Sequence, residues 1–154
     1  MEIRKATLSD LDSIVANRME FIHSIHEDEF IIPENFAQDT YEYLKQHLVD
    51  DTISAWIAIE HDVIVSIVIV CFYDLLPLIS NLNGKTGYVL NVYTLPNHRR
   101  KGLATKVLTK IINESQERGV GKLYLNATEE GMPVYKKLGF RLINNEMVYQ
   151  VNNT

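Results

Sequence analysis

Residues 63–73 read VIVSIVIVCFY, an apolar run interrupted only by Ser66. Neither an amphipathic helix nor a half-exposed strand tolerates that pattern, because each needs polar residues at its own period. The run is therefore expected to be a strand covered on both faces. "AWIAIE" precedes it across His61 and Asp62, so the two segments read as a hairpin. A sheet covered on both sides demands helices, and the chain supplies their periodicity elsewhere, which places it in the mixed α/β class.

The opening IRKAT reads as a short strand, and Ser9 followed by Asp12 reads as a capping box that starts a helix through about Ile25. Leu11, Ile14, Val15, Ile22 and Ile25 form its apolar stripe, and Arg18 falls on the same stripe. A second helix follows Pro33 with Phe36, Leu44 and Leu48 inward; the acidic HEDEF between the two helices reads as a loop. Asn81 to Gly87 is rich in turn residues, "YVLNVYTL" is the next strand, and Leu103, Ala104, Val107, Leu108, Ile111 and Ile112 mark a helix that Gly119 closes. "KLYLNA" gives a strand, Pro133 to Leu138 a short helix ending at Gly139, and "FRLI" and "MVYQV" two last strands. Neither repeats nor linkers divide the 154 residues, so one domain over residues 1–154 is expected.

The net charge of -5 disfavours a nucleic-acid surface. No run approaches the roughly 20 apolar residues that span a bilayer, and MEIRKATLSD lacks the apolar core of a signal peptide. A cytoplasmic protein with no membrane partner is expected. Cys71 is the single cysteine, which excludes an internal disulfide and a multi-cysteine metal site; no metal is expected. Between Val70 and Phe72 it reads as a buried, inert thiol.

Against that acidic background the loop His98-Arg99-Arg100-Lys101-Gly102 concentrates positive charge between a strand and a helix. The first N–H groups of a helix have no intrahelical partner, and with the helix dipole they bind anions. Gly102 leaves the backbone approachable, small Ala104 lets the helix seat closely, and Arg99, Arg100 and Lys101 add positive potential. The loop reads as a phosphate cradle. It is neither a P-loop, since Lys101 precedes the only glycine, nor a dinucleotide fingerprint, since G-x-G-x-x-G is absent.

Arg99-x-x-Gly102-x-Ala104, following Val92-Tyr93-Thr94-x-Pro96, resembles the central motif of the GNAT superfamily of N-acetyltransferases, a Q/R-x-x-G-x-G/A loop around the pyrophosphate of acetyl-CoA. ATEEGMPVYKKLGF is similar to the later motif of that family, with Tyr135 four residues before Gly139-Phe140. The two segments stand in the family's order, and the order of elements matches over essentially the whole chain.

The resemblance implies a GNAT-like, mostly antiparallel central sheet with helices on both faces, acetyl-CoA as co-substrate, and direct transfer of acetyl to a primary amine of a small molecule or protein. It implies that Val92, Tyr93 and Thr94 pair with the pantetheine arm, and that a backbone N–H near Val92 or Tyr93 polarises the thioester carbonyl. Arg99 belongs to the motif, and the amides of Arg100, Lys101, Gly102, Leu103, Ala104 and Thr105 would hold the pyrophosphate. Tyr135 matches the tyrosine that protonates the departing thiolate, with partly buried packing as its alternative. Thr128 occupies the place of an asparagine that touches pantetheine, although its residue type suits capping of the next helix. The expected partners are acetyl-CoA and an amine; self-association into a homodimer is left open.

The central strand departs from the family by offering Asn91 and no carboxylate. Glu27, Asp28, Glu29 and Asp74 are the candidates for the missing base, and the same acidic loop suits a cationic acceptor. Arg18 reads as a snorkelling or ion-paired side chain, with acceptor binding as its alternative. A non-catalytic acyl-CoA-binding or regulatory module on the same fold is the rival reading of the whole.

Overall fold

The computed structural model describes residues 1–26 and 31–152. Five strands, β1 (Glu2–Lys5), β2 (Ile53–Glu60), β3 (Val63–Asp74), β4 (Lys85–Thr94) and β5 (Lys122–Leu125), form one sheet in the order β1-β2-β3-β4-β5. The first four are mutually antiparallel and β5 runs parallel to β4. Helices α1 (Leu11–Ile25) and α2 (Phe36–Val49) cover one face; α3 (Leu103–Glu117) and α4 (Met132–Leu138) cover the other. No helix among the described residues is long and apolar enough to cross a membrane.

The apolar β3 run is buried on both sides as its sequence requires. Ile64, Ile67 and Ile69 join Leu11, Ile14 and Leu44 in the core under α1 and α2, whereas Val65, Val68 and Val70 join Val107, Leu108 and Ile111 under α3. The β2–β3 turn places His61 and Asp62 at φ +51° and +63°, the pair of left-handed residues that matches the strand twist. Glu114 ties α3 to the sheet. Its carboxylate accepts Ser54 Oγ at 2.7 Å and Trp56 Nε1 at 2.8 Å from β2, together with Arg118 Nε at 2.8 Å and Lys5 Nζ at 3.3 Å. Burial alone would raise this carboxyl, but those donors hold it below its ordinary value.

Three local expectations change. The capping box lies two residues earlier than Ser9–Asp12: Asp10 accepts the Thr7 N–H at 2.8 Å, and Arg4 grips the same carboxylate at 2.8 and 2.9 Å, drawing Leu8–Asp10 into a 3-10 turn ahead of α1. Strand β4 begins at Lys85, because Thr86 and Gly87 pair with Tyr73 and Phe72 rather than belonging to the loop. Neither FRLI nor MVYQV forms a strand. Residues 141–151 join no ladder, and Met147, Val148, Tyr149 and Val151 are 80–95% exposed. Two short segments around Asn144-Asn145 form only a marginal hairpin unless a sheet edge recruits them, and here β5 does not.

Candidate active site

The sheet parts where β4 outruns β5. Their parallel ladder stops at Val89↔Leu125, yet β4 continues to Thr94 with only β3 beside it, through Ile67↔Tyr93 and Ser66↔Thr94. Along Leu90–Thr94 the side of β4 toward β5 therefore has no strand partner. A bulge marks the start of this stretch: Val68 alone stands opposite two β4 residues, and Asn91 adopts φ +55°. The extended, unpaired backbone is a template for an extended ligand.

The chain leaves β4 through Pro96 and turns into α3 at Gly102, whose φ of +75° is left-handed and whose Cβ position has nothing within 4 Å. Arg100 is left-handed too, at +62°. The first α-helical bond runs from Lys106 N–H to Gly102 O, so the Leu103, Ala104 and Thr105 amides precede the ladder, and no side chain caps them. These amides, the α3 dipole and the open space before Gly102 together form an anion cradle at the end of the unpaired β4 segment.

The four basic side chains of this loop have different tasks. His98 Nε2 lies 2.7 Å from Glu60 Oε2 and anchors the loop to β2. Arg99 Nε donates to the Thr94 carbonyl at 3.0 Å, its guanidinium stands 5.6 Å over the Tyr93 ring, and Nη1 lies 3.6 Å from Glu130. Arg100 and Lys101 are exposed at the loop tip. Positive potential at the cradle thus comes from the amides and from Arg100 and Lys101 at the tip, while Arg99, also exposed, is tied to β4.

Tyr135 on α4 is 8% exposed and packs in the core that contains Val89 and Leu103, against which Val92 and Leu125 also lie. Phe140 meets its ring edge-on at 6.0 Å. Its hydroxyl has no hydrogen-bond partner among the described residues, and burial raises the phenol above its ordinary value. Thr128 Oγ1 accepts the Gly131 N–H at 3.1 Å, so this side chain stabilises the turn into α4. A cleft of about 500 Å³ between α3, β5 and α4 reaches Tyr135 and Phe140 but includes none of residues 91–105. The cleft is distinct from the cradle.

On the opposite face α1 meets the same stretch of β4. Tyr93 OH donates to Glu20 Oε1 at 3.2 Å; burial, and next the Glu20 charge, push this phenol up. Phe21 lies 5.6 Å from the Tyr93 ring. Arg18 Nη1 donates to Asn91 Oδ1 at 3.2 Å. Burial lowers the Arg18 guanidinium, opposed by nearby Cys71, whose thiol burial raises. Asn17 and Asn91 are 5% and 4% exposed, and Asn17 Oδ1 and Asn91 Nδ2 are buried without partners. Asp74 pairs in register with Lys85, at the opposite end of β4 from Tyr93 and about 26 Å away at the ordinary strand rise. It does not reach this site. Glu27, Asp28 and Glu29 lie outside the described residues.

A family model described as "Acetyltransferase (GNAT) family" matches residues 19–140. The chain belongs to the GNAT family. A protein from Clostridium acetobutylicum, described as a predicted acetyltransferase with acetyl-CoA, is 30% identical with a TM-score of 0.86 over 97% of this chain and 96% of its own. A GCN5-related N-acetyltransferase from Ralstonia eutropha JMP134 is 25% identical, also with a TM-score of 0.86, over 97% of each chain. Glucosamine 6-phosphate N-acetyltransferase of Trypanosoma brucei brucei is 31% identical over 61 residues, 40% of this chain and 42% of its own length. The five-stranded, mostly antiparallel sheet between two helix layers is the expected GNAT architecture.

Two residues packed at this stretch of β4 escape sequence reasoning. Glu20 is one of many exposed helix carboxylates, and only the α1–β4 packing shows that Tyr93 is its partner. Asn91 registers as a missing carboxylate, and its left-handed backbone has no glycine to announce it.

Proposed function

We propose that the protein is an acetyl-CoA-dependent N-acetyltransferase that acetylates a primary amine. The observation that carries the proposal is the uncapped N-terminus of α3 at the end of the unpaired Leu90–Thr94 segment. That pairing of features suits a ligand with a pyrophosphate at one end and an extended amide-bearing arm at the other. Membership of the acetyltransferase family agrees with that ligand, as does the acetyl-CoA in the Clostridium relative.

In this reading the Leu103, Ala104 and Thr105 amides hold the pyrophosphate, with Arg100, Lys101 and Gly102 completing the loop. Backbone groups of Val92, Tyr93 and Thr94 align the pantetheine arm, and an N–H of Val92 or Tyr93 polarises the carbonyl. The neutral amine attacks the thioester carbonyl: a C–N bond forms, the C–S bond breaks, and the amine nitrogen loses one proton. Glu20, whose carboxylate accepts the Tyr93 hydroxyl, accepts that proton directly or through water. Tyr135 returns a proton to the leaving thiolate. A raised phenol stays protonated at neutral pH until the thiolate forms; because a thiol titrates near about 8.5 the transfer runs somewhat uphill, and solvent returns a proton to the phenolate. Holding both reactants together supplies much of the rate without a covalent enzyme intermediate.

Incubating the purified protein with acetyl-CoA and a panel of primary amines, with thiol detection of free CoA, tests the function. Amine-dependent CoA release equal to acetylated product is expected. Binding of acetyl-CoA with no release on any amine would establish the non-catalytic module instead.

A further inference from the structure

Arg18 is a cation in an unusual setting. Its guanidinium carries five N–H donors, yet one hydrogen bond, to Asn91 Oδ1, is its polar contact among the described residues, and it has no carboxylate within salt-bridge distance there. The other paired arginines behave differently: Arg4 grips Asp10, and Arg118 joins Glu114 and Asp51. Half-buried charges without counter-ions are costly, which makes a guanidinium so placed a receptor for an anion.

A second observation points the same way. Because Arg18 donates to Asn91 Oδ1, the Asn91 amide is oriented with Nδ2 as a donor, and that nitrogen is buried without a partner. Asn91 is 96% buried by its 4% exposure, so the unpaired N–H₂ cannot simply be left to solvent. Among the described residues the remaining Arg18 donors and Asn91 Nδ2 have no acceptor, beside a strand position whose backbone is already bent to φ +55°. Two residues along β4, Tyr93 binds Glu20. The two pairs lie against the same short stretch of β4, a setting that suits a small molecule carrying both an amine and an anion.

We infer that the acceptor is an amine that also carries an anionic oxygen group, a carboxylate or a phosphate, and that Arg18 with Asn91 binds that group while Glu20 faces the amine. This rests on the acetyltransferase reading given above, since it names the acceptor of the same site. It also departs from the purely cationic acceptor suggested by the acidic loop: a doubly charged acceptor satisfies Arg18 and Glu20 at once.

Matched acceptor pairs test it: phosphoethanolamine against ethanolamine, glucosamine 6-phosphate against glucosamine, and β-alanine against its amide. With the parent protein, at least one anionic member should exceed its neutral partner in kcat/KM by roughly 10- to 100-fold, the usual scale of a hydrogen-bonded charge contact. Comparing the phosphate pairs with the carboxylate pair tells which anion is used. Arg18→Gln should erase that preference mainly through KM, leave the neutral member within about threefold and leave acetyl-CoA binding unchanged; Arg18→Lys should restore part of it. Equal use of both members by the parent, or an equal loss for both in Arg18→Gln, would overturn the anion anchor while leaving the acetyltransferase intact. Calorimetry of each anionic member with the CoA-loaded protein supplies a readout independent of turnover. Binding that Arg18→Gln abolishes would uphold the anchor even if no amine were acetylated, and absence of binding by every anionic member would overturn it.

Discussion

Replacing Gly102 by valine separates two sources of anion binding, backbone amides and side-chain charge. The residue sits at φ +75°, where an L-residue costs about 1–2 kcal/mol. No atom lies within 4 Å of its Cβ position, so no clash adds to that cost. For a chain of this size the melting temperature should fall by roughly 2–8 °C, at about 2–4 °C per kcal/mol. The protein therefore stays folded at room temperature. The same open space is where a phosphate must come to reach the Leu103–Thr105 amides, and a valine side chain fills it. Acetyl-CoA affinity measured by calorimetry should then drop by roughly 100-fold or more, with Gly102→Ala in between, because close approach is what glycine permits. Arg100→Ala removes an exposed charge that solvent screens, and should weaken binding by no more than about fivefold. Equal losses from Gly102→Val and Arg100→Ala would refute the amide cradle and favour diffuse charge attraction. Undiminished binding by a folded Gly102→Val protein would refute the site altogether.

Three further outcomes follow from the same geometry. Tyr135→Phe should lower kcat by about 10²- to 10⁴-fold with little change in acetyl-CoA affinity, read by pairing steady-state rates with calorimetry; an unchanged kcat would make Tyr135 a packing residue. Glu20→Gln should cut the rate by about 10²-fold at pH 7, and the deficit should shrink above about pH 9, where an amine of pKa near 10.4 increasingly supplies its own free base; a constant deficit across the range would remove Glu20 as the base. The depressed Glu114 carboxyl contributes stability that is complete above its unfolded value near about 4.3 and is lost as pH falls through its lower folded value. Denaturant melts should accordingly show Glu114→Ala less stable than the parent by about 2–3 kcal/mol at pH 7, with the gap narrowing below about pH 4.

How much of this was legible from residues alone depended on whether the signal was local. The β3 run, the His61-Asp62 turn and the stops at Gly119 and Gly139 announce themselves because apolar period and left-handed backbone are encoded at single positions; both glycines are indeed at positive φ. Gly102 belongs to the same group. The tail was harder. MVYQV has strand chemistry, but a strand also needs an edge, and edges are settled by packing rather than by propensity. Within the candidate site, the spacing of the motif positions 92–105 and Tyr135 can be read from the sequence, whereas the division of labour among His98, Arg99 and Arg100 cannot. Which basic residue is held back depends on Glu60 and Glu130, both distant in sequence, and on the Thr94 carbonyl at the end of β4. Glu20 and the Asn91 bulge are non-local for the same reason. Each acquires meaning only when α1 is laid against β4.

The central claim is that α3 amides and the unpaired end of β4 form one acetyl-CoA site. Amide hydrogen exchange with and without acetyl-CoA measures it most directly, because backbone protection reports on those N–H groups themselves. The account predicts slower exchange at Val92–Thr94 and at Leu103–Thr105 when acetyl-CoA is present, with β1 and β2 unchanged. Protection confined to the cleft between α3, β5 and α4, with residues 92–94 and 103–105 exchanging as before, would contradict it.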